Sequence, residues 1–343
     1  MRSNASLRMF CLPLLLPLVG FLGAGGNATA DDDQPTIDKD SIRITLQPGS
    51  ERAYSKPGWV PYIEYQVNGP IASGSQLSVG FTLPGKGPWV KFDCRTGETE
   101  KGRSWEAACG GDAISNDKAQ VYSGPVGFTI HLRNELTGTN VALFAGQMKV
   151  GRVPGTSGAN ASDDYYVDEN WRIPIGYVFI GGPASRDAKS LHVGFWYRGN
   201  PPEIQAHLFY NGKEIAKFNK PGNGPRDWNP AKYQWGFANC EFLGVYSTQE
   251  AADAGYEPHI GLDKNPGEYE VKVLVANHLA RSIKFSADAN GIVDNGIAKA
   301  NKLGSDRIIV PVQVIGDQGP WDRMAWKTGA FYGNPLTGFT PVP

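Results

Sequence analysis

The sequence predicts an all-β protein built from two tandem β-sandwich domains, and three observations support this fold class. Several segments alternate apolar and polar residues, as Ile42, Ile44 and Leu46 do with their neighbours, which is the period of a strand with one face in a core. The 43 glycines and 25 prolines accompany a hydrophobic fraction of 41%, a combination that favours short strands joined by turns. Finally, several segments occur twice in the same order along the chain.

These repeated segments indicate an internal duplication. The matched pairs are the L-x-V-G-F segments 77–81 and 191–195, the tryptophans Trp105 and Trp235, the segments 124–132 and 266–274, and the phenylalanines Phe144 and Phe285. Their order is kept while the spacing between the copies grows, as expected when the second copy has longer loops. We therefore predict sandwich domains over residues 31–155 and 169–316, joined by a polar, turn-forming linker over 156–168.

Local signals place further elements in the second domain. Asn211-Gly212 lies between two apolar runs and predicts a two-residue hairpin turn, since both positions of that turn require positive φ. Ser247 and Glu250 have capping-box spacing and Gly255 is a stop residue, so a short helix is expected over 247–255. The segment 295–304 is a second candidate for a short helix.

The C-terminal region is expected to add a strand and an irregular tail. Pro311 lies among the alternating valines of that strand and cannot donate a ladder hydrogen bond, which predicts an edge strand or a free position for the proline. The tail 317–343 is rich in Trp, Phe and Gly without periodicity. It is predicted either to lie along the second domain as a lid or to dock a partner.

In strand pattern the tandem resembles secreted immunoglobulin-like or fibronectin-like sandwich proteins. The resemblance implies paired sheets packed face to face, with about seven strands in each domain. It does not extend to the two widely spaced cysteines that bracket a buried Trp in immunoglobulin domains. No functional residue is therefore carried over from these families.

The first thirty residues are predicted to be a secretory signal peptide. Arg2 and Arg8 precede a short apolar run, and Ala28 and Ala30 have the spacing of a cleavage site; the alternative is an uncleaved anchor. No later segment is apolar enough to span a membrane, so we predict a secreted or periplasmic protein. Without residues 1–30 the chain has 31 basic and 34 acidic residues, a net charge of −3, which argues against a nucleic-acid-binding protein.

Three cysteines remain after that cleavage. Cys94 and Cys109 flank a polar segment and are predicted to form a disulfide in an oxidising compartment; the alternative is two unpaired small hydrophobic residues. Cys240 corresponds to Cys109 in the repeat and is predicted to be a buried thiol.

No motif for catalysis or cofactor binding occurs in the sequence. The five histidines show none of the spacings of metal ligands, and no nucleophile elbow or phosphate loop is present. The acidic residues within 163–169 lack the alternating pattern of a calcium loop and are interpreted as a solvated linker. We therefore predict no catalytic residue, no metal and no cofactor.

Aromatic residues of the second domain are the candidates for binding. Trp196 lies on the strand face opposite Leu191, Val193 and Phe195 and is expected to be exposed. The long Gly/Pro-rich loop 220–235 carries three further candidates, Arg226, Trp228 and Tyr233. Exposed aromatic rings on loops bind sugar rings or protein partners, while the alternative for each ring is packing against the core or the tail.

Three functions follow as hypotheses. The first is a non-catalytic secreted protein that acts in binding, adhesion or envelope assembly, with a protein partner or a polysaccharide. The second is a carbohydrate-binding protein that uses the aromatic residues of the second domain. The third is a secreted hydrolase with carboxylates from distant loops, which would leave no sequence signature; a carboxyl pair with a raised pKa in a cleft would favour it.

Overall fold

Two antiparallel sheets, each curled, contain nearly all of the regular structure, and the all-β prediction is confirmed. The computed structural model describes residues 34–48, 58–110, 118–154, 163–182, 189–199, 201, 203–221, 233–245, 260–303, 307–316 and 319–343. The predicted signal peptide, the predicted helix over 247–255 and most of the predicted linker lie outside these residues.

The first sheet has eight strands in the order β1-β2-β5-β4-β3-β6-β7-β8. They are β1 (Thr36–Pro48), β2 (Trp59–Asn68), β3 (Ser75–Leu83), β4 (Gly87–Glu100), β5 (Ser104–Cys109), β6 (Gly124–Asn134), β7 (Thr139–Val153) and β8 (Asp164–Val167). The last of these strands lies in the region that the sequence predicts as linker, and it pairs with the end of β7.

The second sheet has nine strands in the order β12-β11-β14-β15-β17-β9-β10-β13, with β16 paired to β15. They are β9 (Ile175–Gly181), β10 (Ser190–Arg198), β11 (Glu203–Tyr210), β12 (Lys213–Pro221), β13 (Trp235–Phe242), β14 (Gly267–Val275), β15 (His278–Asp288), β16 (Gly291–Ile292) and β17 (Ile308–Val314). The four-residue helix α1 (Ile297–Ala300) confirms the short helix predicted over 295–304. Single 3₁₀ turns form at Asn170–Arg172 and Ala325–Lys327.

Both sheets contain the same two groups of neighbouring strands. In the first sheet the groups are β1-β2-β5 and β4-β3-β6-β7, and in the second sheet they are β9-β10-β13 and β12-β11-β14-β15. If the strands of each sheet are numbered from one in chain order, both sheets have the groups 1-2-5 and 4-3-6-7. In the first sheet the long strand β4 joins the groups, since residues 87–93 pair with β3 and residues 94–100 pair with β5. In the second sheet β17 joins them instead. The shared order is what a repeated architectural unit predicts.

The topology corrects one part of the proposed repeat. The two L-x-V-G-F segments lie on β3 and β10, which are the third strand of the first sheet and the second strand of the second sheet. They are therefore not equivalent positions. The pairs Trp105/Trp235 and 124–132/266–274 do lie on equivalent strands, β5 with β13 and β6 with β14. Alternation alone makes strands of similar composition look alike, whatever their place in a sheet.

The predicted hairpin turn and the predicted position of Pro311 can both be compared with the structure. Asn211 and Gly212 form the β11–β12 turn with φ angles of 47° and 81°, which confirms the hairpin. Strand β17 is not an edge strand, because it pairs with β9 through residues 308–311 and with β15 through 312–314. Pro311 lies where the pairing of β17 changes from β9 to β15. Of the two alternatives predicted for this proline, an edge strand or a position free of ladder hydrogen bonding, the second therefore applies.

The tail packs against the first sheet as well as the second. Ala330, Phe331 and Tyr332 are buried in the hydrophobic cluster of the first sheet, and the Gln147 N–H donates to the Tyr332 carbonyl at 2.7 Å. Phe331 and Tyr332 both have positive φ, 43° and 60°, a conformation that is unfavourable for bulky side chains. The tertiary contacts of these residues therefore determine the path of the tail.

Candidate functional site

The strand β1 contains a bulge that forms one wall of a polar cleft. Its pairing with β2 shifts between Asp38 and Arg43, so the residues between them lie outside the regular ladder. The Ser41 hydroxyl donates to the Asp38 carbonyl at 2.6 Å and accepts the Gln66 N–H at 2.7 Å. The Asp40 N–H donates to Asp38 Oδ1 at 3.0 Å. These bonds fix the bulge and direct polar side chains to one place, as bulges at functional sites do.

The cleft consists of two adjoining cavities of about 580 and 480 Å³. Asp38, Asp40, Gln66 and Arg307 line both. The larger cavity is otherwise lined by Ser41, Arg43, Glu64, Tyr65, Arg95, Thr96, Gly97, Glu106, Ala107 and Ala108. The smaller is otherwise lined by Asn68, Glu100, Ser104, Tyr177, Ala298, Leu303 and Ile309.

Asp40 connects the two sheets at the base of the cleft. Its Oδ1 accepts a hydrogen bond from the Tyr177 hydroxyl at 2.6 Å, and its Oδ2 accepts one from Arg307 Nη1 at 3.1 Å. Burial and the Asp40 charge raise the pKa of Tyr177 well above its ordinary value, so the hydroxyl remains a donor. Because Asp40 is on β1 while its partners belong to the second sheet and the residue before β17, the cleft depends on the packing of both halves.

The carboxyl group of Asp38 lines both cavities of the cleft. Burial, followed by the negative charge of Asp40, raises its pKa above the ordinary value. A carboxyl in this environment keeps its proton at a higher pH than an exposed aspartate. It can therefore donate a hydrogen bond to a ligand when protonated and accept one when ionised.

A buried arginine supports the cleft from the region where the two sheets pack together around Trp171 and Trp196, which we call the joint. Arg172, only 1% exposed, lies between the rings of Trp171 and Trp196, with its guanidinium carbon 4.3 and 4.4 Å from their centres. It donates to the Ile42 carbonyl at 3.0 Å and pairs with Glu169 at 3.0 Å. Burial opposes its charge, but Glu169 and the neighbouring Tyr332 keep its pKa above the ordinary arginine value.

The expectation that Trp196 is exposed is wrong. Its side chain is 4% exposed and belongs to the cluster shared with the first sheet. Leu191, Val193 and Phe195 do face the core of the second sheet, so the alternation was interpreted correctly. The opposite face of β10, however, packs against the first sheet at the Trp196 end and is not exposed to water there.

Tyr233, another predicted binding residue, is separate from the cleft lining. The Tyr233 hydroxyl donates to Asp164 Oδ2 at 3.1 Å, and its ring stacks on Tyr166 with centres 4.9 Å apart. Arg226 and Trp228 lie outside the described residues. The binding role proposed for these residues remains a prediction.

Asp38, Asp40 and Arg307 were not recognised in the sequence as site residues. The available signal was the charged segment Asp38-Lys39-Asp40, which interrupts the apolar alternation of β1 just before Ile42. That interruption fits a bulge, although it does not indicate which distant residue faces it.

The predicted disulfide is confirmed. Cys94 on β4 and Cys109 on β5 are directly paired across the two strands and are bonded. Cys240 is buried and keeps its thiol. The segment between the first two cysteines is a hairpin of strands rather than an open loop.

Comparison with known proteins gives no relative from which residues could be transferred. No protein-family model matches the chain, and no curated protein matches it. Within the described ranges, no three His, Cys, Asp or Glu residues are grouped so that they could hold a metal ion. None of the helices in that part of the chain is long and apolar enough to cross a membrane. The chemistry of the cleft is therefore the basis for inferring a function.

Proposed function

We propose that this is an exported, non-catalytic binding protein whose charged cleft binds a polar ligand of the saccharide class. The observation that carries the proposal is the arrangement around Asp40, where Tyr177 and Arg307 hold a buried carboxylate at the base of a cleft. Such fixed polar groups recognise a ligand with little loss of side-chain entropy. The disulfide fits an oxidising compartment outside the cytoplasm.

The composition of the cleft favours an uncharged polyhydroxy ligand over a strongly charged one. Carboxylates and guanidinium groups both line it, including those of Glu64, Glu106, Arg43 and Arg307. Hydroxyl groups of a sugar can donate to the carboxylates and accept from the guanidinium groups. A cavity of about 580 Å³ is within the usual size range of small-molecule sites.

A titration with sugars tests the proposal. The purified protein is titrated with a panel of mono- and disaccharides by calorimetry, for the wild type and for Arg307→Met. We expect saturable binding that Arg307→Met weakens by about tenfold or more, since the variant removes a charge-assisted hydrogen-bond donor. Arg133→Met is the matched control, because Arg133 pairs with exposed Glu135 outside the cleft. No binding by any sugar, or equal loss in both variants, contradicts the proposal.

A hydrolase is the second candidate, and the pKa of Asp38 favours it. Burial together with the charge of Asp40 raises the pKa of Asp38, and a carboxyl with a raised pKa in a cleft is the kind of group that general acid catalysis uses. If a panel of chromogenic glycosides is cleaved, and Asp38→Asn abolishes cleavage without lowering the unfolding temperature, the protein is an enzyme and the binding proposal is replaced.

A further inference from the structure

Among the residues that the structure describes, three rings on the outer face of the second sheet are not fully buried. On β9, β10 and β13 the residues that point away from the second core alternate along each strand, and those nearest the joint, such as Tyr177 and Trp196, are buried. Phe237 pairs directly with Trp196 across β10 and β13 and is 38% exposed. Four residues from Trp196 on β10, His192 pairs directly with Phe179 on β9, and both are half-buried. These three rings form what we call the aromatic platform.

Glycine allows the rings of the aromatic platform to lie close to the sheet. A Cβ on Gly194 would come within 2.4 Å of the Phe237 ring, so the ring lies directly over the backbone. Phe179 and His192 stack with centres 4.8 Å apart and an interplanar angle of 6°. His192 Nδ1 is 2.9 Å from Asn239 Nδ2, which places a polar amide beside the aromatic surface.

Two residues make the aromatic platform continuous with the cleft. Arg307 bonds Asp40 at the base of the cleft, while its guanidinium carbon lies 5.6 Å from the centre of the Phe179 ring. Tyr177 lines the smaller cavity and packs on Phe237 with centres 6.0 Å apart. A ligand seated against Arg307 therefore lies beside the first ring of the platform.

We propose that the ligand is a linear oligosaccharide that occupies the cleft with one end and lies on the aromatic platform with its following units. This inference rests on the saccharide cleft proposed above. A pyranose ring has one apolar C–H face and a polar rim, so successive units suit aromatic surface flanked by polar groups. The exposed Glu241, which pairs with His192 across β10 and β13 and accepts a hydrogen bond from the Ser190 hydroxyl at 2.7 Å, supplies a hydrogen-bonding group beside the rings.

The length dependence of binding tests this inference. Cello-oligosaccharides, chito-oligosaccharides and xylo-oligosaccharides of two to six units are titrated by calorimetry against the wild type, Phe179→Leu, Phe237→Leu and Phe209→Leu. The leucines keep apolar bulk and protect the fold. Phe209 is the matched control, because it is also half-buried on a strand and has a cation, Lys272, 4.5 Å from its ring centre.

We expect the wild-type affinity to rise by about tenfold or more from two to six units, as added stacking would provide. Phe179→Leu and Phe237→Leu should remove that rise while leaving binding of the disaccharide unchanged, and Phe209→Leu should behave as the wild type. Length-independent affinity, or a rise that persists in both platform variants, overturns the extended site but leaves the cleft proposal intact. If no sugar of any length binds, both proposals fail.

Discussion

The guanidinium carbon of Arg172 lies 4.4 Å from the centre of the Trp196 ring, inside the joint between the two sheets. Both side chains come from the second half of the chain, yet Arg172 also bonds the Ile42 carbonyl of the first sheet. The pair thus connects the wall of the cleft to the second sheet.

Removing the charge of Arg172 should strongly destabilise the protein. Arg172→Met leaves Glu169 without its buried ion-pair partner, and breaking such a pair costs about 3–5 kcal/mol. The free energy of unfolding, measured with urea, is the readout. Arg152→Met is the control, because Arg152 pairs with Asp163 from a half-exposed position and should cost less than about 1 kcal/mol. Similar losses of unfolding free energy in both variants would contradict the conclusion that Arg172 stabilises the packing of the two sheets.

The Tyr332 hydroxyl should contribute part of the free energy that holds the tail against the rest of the protein. It donates to the Ile42 carbonyl at 3.2 Å and contacts Glu169 Oε1 at 3.1 Å, so Tyr332→Phe should cost about 1–2 kcal/mol. Tyr210→Phe removes a comparable bond to the Pro266 carbonyl in an exposed setting and should change stability by less than about 0.5 kcal/mol. Urea unfolding compares the two, and equal effects would mean that the tail is held by apolar packing alone.

Asp38→Asn should stabilise the protein at neutral pH and have less effect in acid. Because burial and Asp40 raise the folded-state pKa above 3.8, the folded state binds its proton more tightly than the unfolded state. Ionisation of Asp38 therefore reduces stability as the pH rises through the folded pKa, and this loss is absent below 3.8. Thermal unfolding of both proteins at about pH 3 and about pH 7 measures the difference.

Asp288→Asn serves as the control for that experiment. Asp288 accepts a hydrogen bond from the N–H two residues later, as Asp38 does, but from an exposed position. Its substitution should change the free energy of unfolding at neutral pH by less than about 0.5 kcal/mol, because the side chain is exposed. A neutral-pH gain in Asp288→Asn as large as that in Asp38→Asn would refute the role of burial.

A side chain at Gly194 should disturb the aromatic platform. Gly194→Ala places a Cβ 2.4 Å from the Phe237 ring, and such overpacking costs about 1–3 kcal/mol. Gly80→Ala, on β3, introduces a Cβ with no atom within 4 Å and should be neutral or stabilising, since alanine lowers the entropy of the unfolded chain. Denaturant unfolding distinguishes them, and equal stability of the two variants would show that the Phe237 ring moves aside at little cost.

The disulfide should contribute about 3 kcal/mol, the value expected for closing a loop of its length. The double substitution Cys94→Ala/Cys109→Ala should lower the unfolding temperature, and a reducing agent should lower that of the wild type but not of the double variant. Cys240→Ala, at a buried thiol outside the disulfide, should keep the response to reduction. If reduction leaves the wild type unchanged, the bridge adds no stability.

The sequence by itself determined the features that depend on neighbouring residues. Alternation along β6 and β14 identified strands, Asn211-Gly212 identified a turn, and Cys94 and Cys109, close together on either side of a polar segment, identified a disulfide. Each of these signals reflects backbone geometry within a few residues, which the local sequence specifies.

Only the tertiary structure decided which strand faces meet water. Trp196 alternates as an outward residue should, yet the first sheet covers it, and no local pattern specifies contact between segments more than a hundred residues apart. The cleft has the same origin, because Asp40 and Arg307 meet at 3.1 Å from opposite ends of the chain. Their meeting depends on how two curled sheets pack together, and that packing is a property of the folded whole.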